Sequence, residues 1–254
     1  MTPEFRLPLE SYVGYLAYRN NIPIAYGGGW VFQGRARFGI NVLPSFRGGE
    51  SSFIFSQLIR LYHHHLGVNY FHIEPYQIGH KNSDGIKSGA FWFYCRMGFR
   101  PLQKELAKIA AIEFEKIKSD KTYRTEKKIL VKLAASELMI DFSTKGETYV
   151  SPNEFVRNLQ LHVSKYYQGD FNAFSLFAKN QILKQFKKEQ IKIATIPANR
   201  LFGELCMYLC MDSNIIKRSA TELKILAKAI DAKCSGIEFE FIDLLKNTQF
   251  LKNN

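Results

Sequence analysis

Seven residues, Phe46-Arg47-Gly48-Gly49-Glu50-Ser51-Ser52, separate the apolar run Phe38-Gly39-Ile40-Asn41-Val42-Leu43 from the segment 53 to 66. In that segment Phe53, Ile54, Phe55, Leu58, Ile59, Leu61, Tyr62 and Leu66 recur at helical spacing. The pattern reads as strand, glycine turn, helix, which commits this part of the chain to a layered fold with the helix against a sheet. Such a turn leaves several backbone N–H groups free at a helix start. The helix dipole is positive there, so an anion such as a phosphate is the natural guest.

The residues before the turn predict an antiparallel meander. Tyr12 to Tyr18 and Ile22 to Phe32 are rich in aromatic, β-branched and glycine residues, with turn chemistry at Arg19-Asn20-Asn21. Gly27-Gly28-Gly29 inside the second arm signals a bulge or a close backbone approach. Phe32-Gln33-Gly34-Arg35 makes a second turn into a third strand, Arg37 to Leu43. Past the turn, Ser51 or Ser52 is the expected N-cap of the helix, and Gly67 its stop. Val68 to Glu74 is a fourth strand, which after a helix can lie parallel to the third through a right-handed crossover. A polar loop, Gln77 to Asp84, a short helix, Ser88 to Met97, and an extended piece at Gly98-Phe99-Arg100-Pro101 complete this part.

Beyond Leu102 the periodicity is helical. Gln103 to Lys118, Glu126 to Asp141, Asn153 to Tyr167, Asn172 to Glu189, Arg200 to Met211 and Ala220 to Ala232 all carry helix-period apolar positions. The expected fold is therefore α/β (α+β): a mixed sheet with an antiparallel hairpin meander over residues 1–102, followed by a mostly α-helical region over 103–254. The stretch Ser143-Thr144-Lys145-Gly146-Glu147-Thr148 is the best internal boundary within that region.

Composition narrows the classes of function. With 254 residues, 46% of them hydrophobic, the chain can bury a sizeable core. No apolar run is long enough to span a membrane, and Met1-Thr2-Pro3-Glu4-Phe5-Arg6 lacks the build of a signal peptide, which points to the cytoplasm. Cys95, Cys206, Cys210 and Cys234 read as reduced, buried thiols rather than a disulfide framework or a metal site. The formal charge of +12 suits an anionic partner. Its lysines, however, are interleaved with glutamates, as in Lys187-Lys188-Glu189, in the manner of solvated helix faces, which argues against a nucleic-acid groove. His63-His64-His65 invites a metal, but consecutive helical residues diverge by about 100° and cannot share one ion.

The order hairpin, strand, glycine turn, helix, strand, loop and short helix, with Ala90, Tyr94 and Gly98-Phe99 at four-residue intervals, resembles the GNAT superfamily of acyl-CoA N-acyltransferases over roughly residues 11 to 102. In that family the glycine turn has the pattern Gln or Arg, two residues, Gly, one residue, Gly or Ala. If Arg47 leads, Glu50 and Ser52 replace both glycines and a carboxylate faces the pyrophosphate. If Phe46 leads, Gly49 and Ser51 take the small positions and Glu50 points away; this register avoids like-charge repulsion and keeps Arg47 near the phosphates. Lys87 stands where the family often has asparagine, with Asn82 displaced upstream.

The resemblance implies a co-substrate, acetyl-CoA or another acyl-CoA, and no metal. It implies a binding set of Val42, Leu43, Arg47, Gly48, Gly49, Glu50, Ser51 and Ser52, with a backbone N–H around Val42 to Leu43 holding the acyl oxygen. Tyr94 takes the family's role of acid to the departing thiolate, and Glu74, at the end of the fourth strand, is the nearest carboxylate to act as base. His72, alternating with Phe71 and Ile73, faces the other side of the sheet from both. The acceptor is an amine of unspecified kind, small molecule or peptide. Only about ten residues precede the first hairpin, whereas the family begins with a strand and two helices that wall the acceptor site, so either the helical half supplies that wall or the chain is a fragment. The alternative reading is a catalytically inactive GNAT-like module that binds a partner.

Overall fold

The computed structural model describes residues 5–144, 151–191, 199–212 and 215–246. The chain divides into two compact units, one of residues 13–30 and 35–147, the other of 1–12, 31–34 and 148–254. The division by compactness therefore falls near residue 147, not at the 102/103 boundary that periodicity suggested. Of the expected internal boundary, residues 145–148 lie outside the described residues.

Among the described residues the sheet has six strands: β1 (Ser11–Arg19), β2 (Ile22–Phe32), β3 (Arg35–Val42), β4 (Tyr70–Ile73), β5 (Arg100–Pro101) and β6 (Leu138–Asp141). Their spatial order is β1-β2-β3-β4-β6-β5. Two-residue turns make the first three a meander. Asn20 and Asn21 have φ of 50° and 63°, and Gln33 and Gly34 have 40° and 78°, the left-handed pairs that match the twist of a tight hairpin. Helix α1 (Ser51–Leu66) then carries the chain over the sheet so that β4 lies parallel to β3.

Aromatic packing fixes α1 on the sheet. Phe38 of β3 has its ring centroid 4.7 Å from Tyr62, 5.7 Å from Phe55 and 6.1 Å from Phe71. The Tyr62 hydroxyl donates to the Val13 carbonyl at 2.5 Å. The triple glycine is a close approach: a Cβ at Gly29 would meet the Tyr62 and Phe38 rings at 3.1 and 3.2 Å, and one at Gly27 would collide with the Gly39 carbonyl and the Tyr15 hydroxyl.

Three local expectations are corrected. The loop and short helix after β4 are a 3-10 turn at Pro75–Ile78 and two helices, α2 (Ser83–Lys87) and α3 (Ala90–Arg96). The N-cap of α1 is Glu50, without a side-chain cap bond, and neither Ser51 nor Ser52. The segment Glu126 to Asp141 is not one helix: α4 (Lys104–Ser119) and α5 (Lys127–Leu133) are followed by β6, which runs antiparallel to β4 from Tyr70↔Asp141 to Ile73↔Leu138. Four residues of periodic sequence are ambiguous between helix and strand, and the open edge of β4 decides for strand.

The second unit is built on α6 (Pro152–Tyr167), α7 (Phe171–Lys188), α8 (Asn199–Met211), α9 (Ala220–Ser235) and α10 (Glu238–Lys246). Phe174, Ala178, Ile182, Phe202, Leu205, Leu226, Ile230 and Phe241 belong to its core, joined by Leu9 and Phe32. Lys233 is fully buried there and donates to the Glu10 carbonyl at 2.9 Å, the Ser11 hydroxyl at 3.1 Å and the Glu238 carboxylate at 2.6 Å. Burial pushes its pKa down against the opposing pull of Glu238.

Gly98 closes α3 at φ 102°, letting the Phe99 N–H reach back to the Tyr94 carbonyl at 3.1 Å. A Cβ there would lie 2.9 Å from the Ile140 Cδ1 atom, whereas Gly89, at φ 69°, faces open space. Gly98→Ala is expected to cost about 1–3 kcal/mol and Gly89→Ala about 1 kcal/mol, read as the order of their urea-unfolding midpoints.

Candidate functional site

The site begins where strand pairing stops. β3 and β4 are in register from Arg35↔Tyr70 to Arg37↔His72, yet β3 continues to Val42 while the chain leaves β4 after Ile73 into the Pro75 turn. Backbone direction alternates along a strand. The Leu43 N–H is engaged by the Ile24 carbonyl of β2 at 2.9 Å, so the N–H groups of Val42 and Ile40 face the side β4 has left. Of the two residues expected to offer an oxyanion donor, Val42 has the free direction and Leu43 does not. The Val42 carbonyl on that side accepts from Arg47 Nε at 2.9 Å, which folds the arginine back along the end of β3. Gln77 lies against the other face of β3, its Nε2 atom 2.7 Å from where a Cβ on Gly39 would sit.

The glycine turn follows directly. A 3-10 turn, Pro44–Phe46, engages the N–H groups of Phe46 and Arg47. Gly48 adopts φ 129°, its N–H donating to the Ser51 hydroxyl at 3.3 Å, and the Ser51 N–H returns to the Gly48 carbonyl at 3.1 Å. Among the described residues, no backbone carbonyl is paired with the N–H of Gly49, Glu50, Ser52 or Phe53. A Cβ on Gly48 or Gly49 would meet nothing within 4 Å. Four amides at the start of a four-turn helix are thus without a backbone partner, behind a glycine pair that faces open space. The carboxylate of Glu50 is held by the Arg19 guanidinium at 2.6 and 2.7 Å, at the end of β1.

Tyr94 is enclosed. Its ring lies 5.4 Å from Phe55, 5.2 Å from Phe93 and 5.8 Å from Phe99, and it is 3% exposed. Burial pushes its pKa well up, so the phenol keeps its proton at any physiological pH. Glu74 is half-exposed, its Oε1 atom 3.2 Å from Arg37 Nη1. Tyr94 packs against α1 through Phe55, whereas Glu74 pairs with Arg37 of β3.

A charged cluster occupies the sheet face opposite Phe71. Strand alternation and the β3–β4 register put Arg35, Arg37, His72 and Glu74 on it together. His72 is fully buried, its Nδ1 atom 3.3 Å from the Glu137 carboxylate just before β6. Burial is the largest influence on His72 and lowers its pKa, assisted by Arg35 and Arg37, against the raising effect of Glu137. Glu137 is held below the ordinary carboxylate range, first by its bond to His72, then by both arginines. A neutral imidazole donating Nδ1–H to an ionised Glu137 satisfies both. The alternations Arg35-x-Arg37 and His72-x-Glu74 were visible signals; Glu137 was not, being read inside a helix. The His63 ring nitrogen bonds the Val68 carbonyl at 2.8 Å.

No protein-family model, no curated protein and no solved structure matches this chain.

Both ionisations oppose acid. The unfolded His72 takes a proton near 6.5 and the folded one only below that, so stability falls as pH drops through 6.5. Glu137 contributes above 4.5 and loses its contribution as pH falls further, through its depressed folded value. Urea unfolding across this range is expected to show two descending limbs, and His72→Gln to flatten the upper one.

Proposed function

We propose that this chain is an acyl-CoA-dependent N-acyltransferase of GNAT type, transferring an acyl group from coenzyme A to an amine. The observation that carries the reading is the continuity between a strand released from its parallel neighbour and a glycine turn with four unengaged amides. The first offers Val42 N–H to a thioester arm, and the second offers N–H groups to a pyrophosphate. The Arg19 pairing of Glu50 supports the register in which that carboxylate stays out of the cradle.

In this reading the amine nitrogen attacks the thioester carbonyl carbon. The C–N bond forms, and the carbonyl oxygen, now anionic, takes the Val42 N–H. The C–S bond then breaks. The Glu74 carboxylate takes the proton released by nitrogen, and the Tyr94 phenol gives its proton to the leaving thiolate. Arg37 pairs with Glu74 at 3.2 Å and positions its carboxylate beside the end of β4.

A second reading is a binding module that has kept the cradle and lost the chemistry. The enclosure of Tyr94 by Phe55, Phe93 and Phe99 favours it, because a packed phenol serves the core without serving a thiolate.

Calorimetry with acetyl-CoA and longer acyl-CoAs tests the cradle. Saturable binding is expected, weakened at least tenfold by Gly49→Asp, which sets a carboxylate among the amides; no binding at millimolar ligand overturns the reading. Thiol release with a panel of amines then separates the two readings. For an enzyme, Tyr94→Phe and Glu74→Gln lower kcat on the order of a hundredfold with acyl-CoA affinity retained. For a module, binding persists and no amine releases thiol from the parent protein.

A further inference from the structure

The helical unit contains a cavity that acyl transfer does not use. It has a volume of about 510 Å³ and is lined by one stripe of α7, Phe177, Gln181, Lys184, Gln185 and Lys188, together with Ile182, Cys210 in the last turn of α8, Asp212 and Ile215. The volume is that of a small-ligand site. Its lining is unevenly divided. Phe177, Ile182, Cys210 and Ile215 make an apolar body, while the polar groups stand together along one side of the helix.

Spacing brings the polar groups together. Residues 177, 181, 184, 185 and 188 recur at three and four, so they share one helical face, and Lys184 and Lys188 are neighbours one turn apart. Both ammonium groups are on exposed residues, and among the described residues neither forms an ion pair. The acidic residue on the wall, Asp212, is fully buried and held by Arg218 at 2.7 Å, so its charge is compensated inside the protein. Phe177 is 44% exposed although it borders the apolar body. Lysines in the last turn of a helix also complement its dipole, which accounts for Lys188 alone but not for a second lysine one turn earlier over an apolar cleft.

We infer that this cavity binds a single-chain amphiphile with an anionic head, the alkyl chain against Phe177, Ile182, Cys210 and Ile215 and the head between Lys184 and Lys188. The ligand class follows from the pairing of an apolar trough with two lysines at its rim that form no ion pair among the described residues. It is independent of the acyl-CoA reading, since no residue is shared between the two sites.

Cys210 makes the test direct. It is the half-buried one of the four cysteines; Cys95, Cys206 and Cys234 are buried. Alkylation of the full chain at alkaline pH, followed by mass spectrometry of each cysteine, is to be run with and without dodecanoate or dodecyl phosphate below micellar concentration. Saturable binding by calorimetry is expected, with at least a tenfold slower modification of Cys210 at saturation. The doubly substituted K184E/K188E protein is expected to bind at least tenfold more weakly while still unfolding cooperatively, its midpoint lowered only slightly by the lost helix-dipole complement of Lys188, and dodecanol to bind at least tenfold more weakly than dodecanoate. The tighter of the two anions names the head. Cys210 reacting at the same rate with and without amphiphile overturns the proposal, as does binding indifferent to charge reversal or to loss of the anionic head.

Discussion

The whole candidate site depends on a parallel ladder only three residues long. Arg35 to Arg37 pair with Tyr70 to His72, and there the two strands part. A longer ladder would have consumed the N–H groups of Ile40 and Val42 and brought the chain after β4 over the glycine turn. The parting has a local cause. Proline at 75 ends the extended run with a 3-10 turn, and Gln77 then lies against Gly39, where any larger residue on β3 would have excluded it. The polar cluster of Arg35, Arg37, His72 and Glu137 sits where the ladder is intact, and the same alternation that aligns the strands sets Arg37 against Glu74 and His72 against Glu137.

Magnitudes decide what places the glycine turn. The Arg19–Glu50 ion pair is short but more than half exposed at both ends, a setting in which such pairs contribute about 0–1 kcal/mol. Burying Phe55, Leu58, Ile59 and Tyr62 contributes about 1.5–3 kcal/mol for each side chain, as an upper estimate. Packing therefore sets the position of α1 and with it the direction in which its first amides point. The ion pair orients one carboxylate. The glycines at 27 and 29 belong to the same packing, since they make room for Tyr15, Phe38 and Tyr62 on the sheet face that α1 covers.

Much of this was legible in residue order. The two tight turns, the three meander strands, α1 and its glycine stop follow from local chemistry, and local chemistry is what a sequence displays. β6 was hidden because its strand identity comes from the free edge of β4, a partner some 65 residues away, and the apolar spacing of Leu130 to Ile140 serves a helix equally well. Glu137 was hidden with it. The cap of α1 differs from expectation for another reason: Ser51 stands one position inside the helix and its hydroxyl accepts from the Gly48 N–H, so serine chemistry operates at this helix start one residue past the cap. The enclosure of Tyr94 could not be read at all, because it depends on Phe55 and Phe99 arriving from separate elements.

The Lys233 anchor bears on the order in which the chain is made. Its ammonium group is completed by the Glu10 carbonyl, 223 positions earlier, and by the Ser11 hydroxyl. On a ribosome those first residues emerge long before the lysine that will bury them, whereas every strand of the sheet has been synthesised once Asp141 has appeared. The sheet unit can therefore mature during translation. The helical unit must wait for α9, whose Lys233 closes on Glu10 and Ser11.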